Sequence, residues 1–137
     1  MKTMRGTLVG LVIIALAGCG GQGARELVAV SITPSSADAQ NFPLGQVQFA
    51  ATGTYNQPPL TAVLRSQDVM WCIGDSTGHC AGFIQTGATI DGNGLARCNS
   101  GFNGTLTILA GQPAGQPSAP DVGVQLRTFG QARLTCP

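Results

Sequence analysis

The chain has 137 residues, of which 43% are hydrophobic and only 9% are charged, and its formal net charge at pH 7 is +1. That length suits one domain and is short for two. A chain this close to neutral has no basic surface for nucleic acid, so nucleic acid is excluded as a partner class.

The first residues have the parts of a secretory signal. Lys2 and Arg5 supply positive charge, residues 8–17 form an apolar run, and small residues close the segment. The run is about half of the roughly 20 residues that span a bilayer. The glycine-rich residues after it would stop a helix, which argues against a buried core helix. We therefore predict a cleaved signal helix over residues 1–18.

The end of this segment, Leu16-Ala17-Gly18-Cys19, resembles the lipobox of bacterial lipoproteins. In that family the cysteine receives a diacylglyceryl group, the signal is cut before it, and the new N-terminus is acylated. The resemblance implies a lipidated Cys19 and a membrane anchor, because several acyl chains together anchor a protein stably. Gly20 stands where some lipoproteins retained at the inner membrane have Asp, which favours the outer membrane or the cell surface.

Cleavage before Cys19 leaves 119 residues with five Arg, six acidic residues and no Lys, a formal charge of −1. Residues 19–26 are polar and glycine-rich, and we predict a flexible tether there. The folded domain is then expected over residues 27–137.

After residue 26, apolar residues alternate with polar or small ones at the period of two that is typical of strands. Asp91-Gly92-Asn93-Gly94 suits the turn of a hairpin. Gly and Pro recur too often for an amphipathic helix to persist. The sequence predicts an all-β sandwich of about seven strands. The alternating segments lie at 28–32, 47–55, 69–73, 88–90, 95–98, 105–110 and 122–136.

Five patches of this part of the chain, in the same order, resemble a bacterial immunoglobulin-like domain of group 2. They are residues 28–34, 44–55, 69–71, 88–94 and 104–110. The resemblance implies an extracytoplasmic immunoglobulin-like β-sandwich of the kind often found in adhesins and surface proteins. It implies no shared catalytic site, and a shared fold does not fix function. The chain departs from the family after the Trp strand, where cysteines replace the usual serines, and in its longer C-terminal tail.

If Cys19 carries lipid, four cysteines remain, and in an exported chain they favour two disulfides with three possible pairings. Trp71 should point inward, so Cys72 points outward, where a short loop can return Cys80. Cys98 and Cys136 each share a face with an apolar residue two positions earlier and can meet inside. We predict Cys72–Cys80 and Cys98–Cys136, with the second bridge tying the C-terminal tail to the domain.

Zinc bound by Cys72, His79, Cys80 and Cys98 is the alternative for these residues. Their spacing fits no zinc-finger pattern and export favours disulfides, so we predict no metal and no other cofactor. His79 is the single histidine, no Gly-x-Ser-x-Gly motif is present, and no Lys remains after cleavage. The aspartates lie mostly in predicted turns, where this side chain bonds to nearby backbone N–H groups. We therefore predict no catalytic residues.

The aromatic residues suggest where contacts form. Trp71 is expected in the core, whereas Phe83 and Phe102 lie in glycine-flanked loops and are candidates for an exposed contact. The loops Ile73–Ala88 and Gly111–Pro120 are the candidate binding loops, because loops carry specificity on rigid sheets. The predicted role is surface display, adhesion or protein interaction. The alternatives are an accessory lipoprotein of an envelope complex and a small carbohydrate-binding module, for which one Trp and one Tyr offer little aromatic platform.

Overall fold

The computed structural model describes residues 23–81, 87–115 and 123–137, and strands make up most of them. The signal segment, Cys19 and Phe83 lie outside the described residues. Ten strands and two short 3₁₀ helices are found in the described ranges. The strands are β1 (Leu27–Thr33), β2 (Ser36–Asp38), β3 (Gln46–Gln48), β4 (Ala50–Tyr55), β5 (Thr61–Leu64), β6 (Met70–Gly74), β7 (Ala88–Ile90), β8 (Leu95–Cys98), β9 (Gly104–Pro113) and β10 (Leu126–Cys136). The 3₁₀ helices are Ala39–Asn41 and Pro43–Gly45.

These strands form three sheets, with the orders β1-β4-β5, β2-β10-β9-β6 and β3-β8-β7. Every pairing is antiparallel except that of β2 with β10, which is parallel. β3 and β4 are separated by Phe49 alone, so the extended segment 46–55 carries one sheet into another. The described part of the chain is therefore all-β, as predicted, and its sheets surround a common core in the manner of a β-sandwich.

The main core lies between these sheets and follows the period-two pattern of the sequence. Val47, Phe49 and Ala51 alternate along β3 and β4, and each is no more than 1% exposed. Ile108 of β9 and Leu134 of β10 are fully buried in the same cluster. Successive strand residues point to opposite faces, so alternate positions reach one core. The expected burial pattern of these strands is found.

A second, smaller cluster lies on the other face of the β2-β10-β9-β6 sheet. It contains Cys72, Cys80, Leu109 and Leu126, all at most 5% exposed. Residues 78–81 cover it: the Cys80 N–H donates to Val124 O at 2.8 Å, and the Leu126 N–H donates to Gly78 O at 2.9 Å. The sheet is thus covered on both faces at this point.

The hairpin expected around the Asp91–Gly94 turn is present as β7 and β8. Asp91 Oδ1 accepts hydrogen bonds from the N–H groups of Asn93 and Leu95, each at 2.9 Å. Gly94 has a φ of +81°, in the region that glycine enters without a steric penalty. The turn forms because its Asp side chain replaces a backbone acceptor.

Three features differ from the sequence-based expectation of about seven strands. β2 and β5 carry no clear alternation and are fixed by their pairing partners. The last strand begins at Leu126 and runs through Gly130 without interruption. A Cβ at Gly130 would lie 2.6 Å from Val30 O, so glycine is what allows β10 to pass this close to β1.

Candidate functional site

The residues just before β1 are bound to the β4–β5 turn. The Glu26 N–H donates to Asn56 Oδ1 at 2.8 Å, and the Asn56 N–H donates to Glu26 O at 3.1 Å. The Gln57 side-chain amide donates to Gly23 O. The sequence predicted a flexible tether over residues 19–26. Within the described part of that segment, these bonds hold residues 23–26 against the domain.

Arg25 is the main side chain in this attachment. Its guanidinium lies 3.5 Å from the centroid of the Tyr55 ring, and its Nη2 donates to Pro59 O at 2.6 Å. Tyr55 is half-buried and packs against the main core. A cation over an aromatic face is attracted by the ring quadrupole. Arg25 thereby couples the N-terminal segment to both the core and the turn.

Exposed apolar residues surround this attachment, and we call them the proximal tip: Val28, Pro58, Pro59 and Leu60. Val28 is 54% exposed and Leu60 is 57% exposed. They share one end of the β1-β4-β5 sheet, since Leu27 pairs with Tyr55 and the Tyr55 N–H donates to Leu60 O at 2.7 Å. No motif in the sequence marks these residues; the run Pro58-Pro59-Leu60 after a polar turn is the signal that could have indicated them.

The opposite end of the domain carries a second exposed apolar feature, which we call the distal loop (residues 42–45). Thr33 pairs with Ala50, so the loop before β3 lies beyond the end of the sheet that is remote from Tyr55. Leu44 in this loop is 90% exposed and has a φ of +58°. Leucine rarely adopts this left-handed conformation. Leu44 was not predicted from the sequence either, because neither its exposure nor its φ angle follows from the residue pattern.

The first disulfide joins Cys72 to Cys80, one of the two predicted pairs, with 5.6 Å between the Cα atoms. Trp71 packs on the main core whereas Cys72 lies in the second cluster, so the two side chains lie on opposite faces as expected. The face of Cys72 is covered rather than open to solvent. The bridge therefore fixes residues 78–81 over the sheet.

Asp75 organises the loop that this disulfide closes. Its Oδ1 accepts the Thr77 hydroxyl, the Thr77 N–H at 2.8 Å and the His79 N–H at 3.3 Å. These hydrogen bonds hold the pKa of Asp75 below its ordinary value, and the bond from the Thr77 hydroxyl has the largest effect. The ionised carboxylate is thus part of the turn between the two cysteines.

The second disulfide joins Cys98 to Cys136, the other predicted pair, with 5.7 Å between the Cα atoms. Cys98 ends β8 in one sheet and Cys136 ends β10 in another. Cys136 is 1% exposed and belongs to the main core. This bridge holds two sheets together and fixes the C-terminal strand.

The zinc alternative needs thiolates, and the disulfides occupy the sulfur atoms that it would use. Within residues 23–81, 87–115 and 123–137, no group of three or more His, Cys, Asp or Glu side chains is arranged to hold a metal. His79 is exposed, and its backbone N–H is bonded to Asp75.

The structure describes two of the three aromatic residues for which the sequence predicted a position, Trp71 and Phe102. Trp71 is half-buried on the main core beside Gly94, where a Cβ would lie 2.9 Å from Trp71 Cζ2. Phe102 is also half-buried on the core, beside Gly87, so it is less accessible than the exposed contact predicted for it. Phe83 lies outside the described residues.

Two open clefts lie on the described surface. One of about 430 Å³ has a polar lining that includes Ser36, Thr107 and Arg133, side chains in one row across β2, β10 and β9. The other, of about 410 Å³, is bordered by Trp71 and Asp68. The predicted loop Gly111–Pro120 contributes little described surface, because its first three residues belong to β9 and residues 116–120 are not described.

Comparison with known proteins adds no family to these observations. No protein-family model matches the chain, and no curated protein matches it. Among the helices of the described residues, none has the length and apolar character needed to cross a bilayer.

Proposed function

We propose that this chain is a bacterial envelope lipoprotein, anchored through Cys19, whose immunoglobulin-like domain serves as a non-catalytic module for surface display, adhesion or protein interaction. The observation that carries the proposal is the cysteine pairing. Cys72 pairs with Cys80 and Cys98 with Cys136, which leaves Cys19, at the end of a lipobox-like motif, as the odd cysteine of five.

The disulfides also support export. Structural disulfides persist in oxidising compartments and are rare where thiols are kept reduced. One of them joins two sheets, and cross-links of this kind are common in small secreted domains. Both facts agree with a secretory signal in residues 1–18.

The immunoglobulin-like assignment draws support from topology. β2 runs parallel to β10 at the edge of a sheet whose remaining strands are antiparallel, and Trp71 of β6 packs on the core. An all-β architecture and a strand tryptophan that packs on the core are features of such a domain. Together with the sequence resemblance they favour this fold.

The lipid anchor is tested by membrane fractionation and by mass spectrometry of the intact protein. The mature wild-type chain is expected in the membrane fraction with a diacylglyceryl group on Cys19. Cys19→Ser is expected to remain unprocessed or to leave the membrane fraction. Normal cleavage and full membrane retention of Cys19→Ser would contradict the proposal.

The interaction role is tested by crosslinking in intact cells followed by purification of the anchored protein. A single stoichiometric partner favours the accessory role in an envelope complex. Recovery of host or surface ligands without such a partner favours display or adhesion. Cys19→Ser serves as the control, because a contact made only at the membrane is lost when the anchor is removed.

A carbohydrate-binding module is the second candidate, favoured by one observation. Trp71 borders an open cleft together with Asp68 and Gln67, so an aromatic edge and polar groups meet there. Glycan-array binding that is abolished by Gln67→Ala, with the fold intact, would support this candidate over protein interaction.

A further inference from the structure

The proximal tip and the predicted anchor are separated by very little chain. Gly23 is four positions after Cys19. Consecutive Cα atoms are about 3.8 Å apart, so the Cα atoms of these two residues are at most about 15 Å apart. Gly23 is itself held on the β4–β5 turn by the Gln57 side chain. The turn therefore stays close to Cys19 whatever path the intervening residues take.

This distance keeps the turn close to the bilayer surface. The polar headgroup region of one leaflet is about 5–8 Å thick, and the acyl chains on Cys19 must lie in the hydrocarbon beneath it. A turn held within one short span of Cys19 cannot leave the neighbourhood of the headgroups. The contacts of Arg25 with Tyr55 and Pro59 hold this segment on the same turn.

The tip has the chemistry to lie on such a surface. Leu60 and Val28 are more than half exposed, and Pro58 and Pro59 between the strands are exposed as well. Isolated exposed apolar residues are ordinary, and it is their position beside the anchor that distinguishes these. Arg25 and Glu26, just before β1, are opposite in sign, so the contact needs no anionic lipid.

The distal loop supplies the contrast. Leu44 is the more exposed leucine, at 90%, but it lies at the other end of the β1-β4-β5 sheet. The extended segment 46–55 between the two ends has ten residues, or about 30 Å at the strand rise. Exposure alone therefore does not single out the proximal tip; proximity to the anchor does.

We propose that the proximal tip lies on the bilayer that carries the Cys19 lipid, with Leu60 and Val28 in the headgroup layer and the distal loop directed away from the membrane. The inference rests on the proposed lipidation of Cys19. The proximal tip thus contacts the lipid surface. This contact holds the domain in one orientation on the membrane.

The test introduces one tryptophan at each end of the full, lipidated chain. Leu60→Trp and Leu44→Trp each replace an exposed leucine in a loop or at its edge, at opposite ends of the sheet. The purified proteins are placed in phosphatidylcholine vesicles with brominated acyl chains, and the emission of wild type, which comes from Trp71, is subtracted. Thermal unfolding verifies that each variant is folded, and Val28→Trp replaces Leu60→Trp if that variant is not.

The proposal expects Leu60→Trp to show a blue shift and a loss of emission several-fold larger than that of Leu44→Trp. Equal quenching of both, or none at position 60, overturns it. The mass of the intact protein distinguishes the hypothesis of a lipidated Cys19 from the hypothesis of a tip that lies on the membrane. If Cys19 carries lipid and position 60 is not quenched, only the orientation is wrong; if Cys19 carries no lipid, the proposed function and the orientation both fail. A blue shift without vesicles that rises with protein concentration assigns the tip to a second copy and also overturns the proposal.

Discussion

Arg25 lies over the face of Tyr55, with 3.5 Å between its guanidinium carbon and the ring centroid. The two residues belong to different parts of the chain, one in the segment that follows the predicted anchor and the other at the end of β4. Because Tyr55 also packs on the main core, the contact makes the N-terminal segment part of the domain. In the proposed lipoprotein, the position of the domain relative to Cys19 then depends on folded structure as well as on chain length.

Removal of this contact should be measurable in the stability of the domain. Arg25→Ala loses the cation–π contact and the hydrogen bond to Pro59 O, and we expect a loss of about 1–2 kcal/mol in the free energy of unfolding. Urea unfolding monitored by Trp71 fluorescence measures it. Arg127→Ala, at an exposed position of β10, is the control and should be neutral within error. Equal effects of the two substitutions would contradict the structural role of Arg25.

The two disulfides should contribute unequally. Their sequence separations are 38 residues for Cys98–Cys136 and 8 for Cys72–Cys80. In the chain-entropy model, loops of these sizes correspond to about 4 and about 2.5 kcal/mol. The double variant Cys98→Ala/Cys136→Ala should therefore be less stable than Cys72→Ala/Cys80→Ala in chemical denaturation. The reverse order would show that the sheet-to-sheet bridge is not the stronger constraint.

Leu44 in the distal loop occupies a position where another residue should make the domain more stable. Leu44 has a φ of +58° and is 90% exposed, so it has backbone strain and little packing to offset it. Asparagine tolerates this conformation, and Leu44→Asn is expected to stabilise the domain by about 0.5–1 kcal/mol. Leu60→Asn is the control, since Leu60 is exposed without a positive φ. The thermal unfolding midpoints of both variants are compared with that of wild type in the absence of lipid. A midpoint of Leu44→Asn below that of wild type contradicts the expectation.

The predictable parts of this fold are those that a local pattern encodes. The alternation of Val47, Phe49 and Ala51 gives their shared burial, and the Asp91 turn gives the β7–β8 hairpin. The same parity led to both disulfide pairs, because it fixes which face a strand residue occupies.

The remaining features depend on contacts between distant segments. The three residues Ser36–Asp38 have no strand pattern of their own and become β2 because β10 lies beside them. The attachment of Arg25 to Tyr55 joins residues that no short-range rule connects. The exposure of Leu60 follows from its place beyond the end of the core, although it is as apolar as buried Leu64.

The Asp75 turn should respond to pH in a defined direction. The Thr77 hydroxyl, followed by the Thr77 and His79 N–H groups, lowers the pKa of Asp75 in the folded chain. The stabilising contribution is therefore complete above the unfolded pKa of about 3.9 and is lost as the pH falls through the lower folded pKa. In an NMR titration Thr77→Val should raise the pKa of Asp75, whereas Thr77→Ser, which keeps the hydroxyl, should change it little. Identical titrations for Thr77→Val and wild type would exclude the hydroxyl as the main cause.

Two glycines with nearly equal φ angles allow the cost of a positive φ to be separated from the cost of a steric clash. Gly94 and Gly101 have φ values of +81° and +80°. A Cβ at Gly94 would lie 2.6 Å from Phe49 O and 2.9 Å from Trp71 Cζ2, whereas at Gly101 no atom lies within 4 Å. Gly101→Ala is therefore expected to lose only the left-handed penalty of about 1 kcal/mol. Gly94→Ala should lose at least about 2 kcal/mol more, because the β7–β8 turn must move away from Phe49 and Trp71. Denaturant midpoints of the two variants measure the difference, and equal midpoints would mean that the Gly94 turn does not pack on Phe49 and Trp71 as the structure shows.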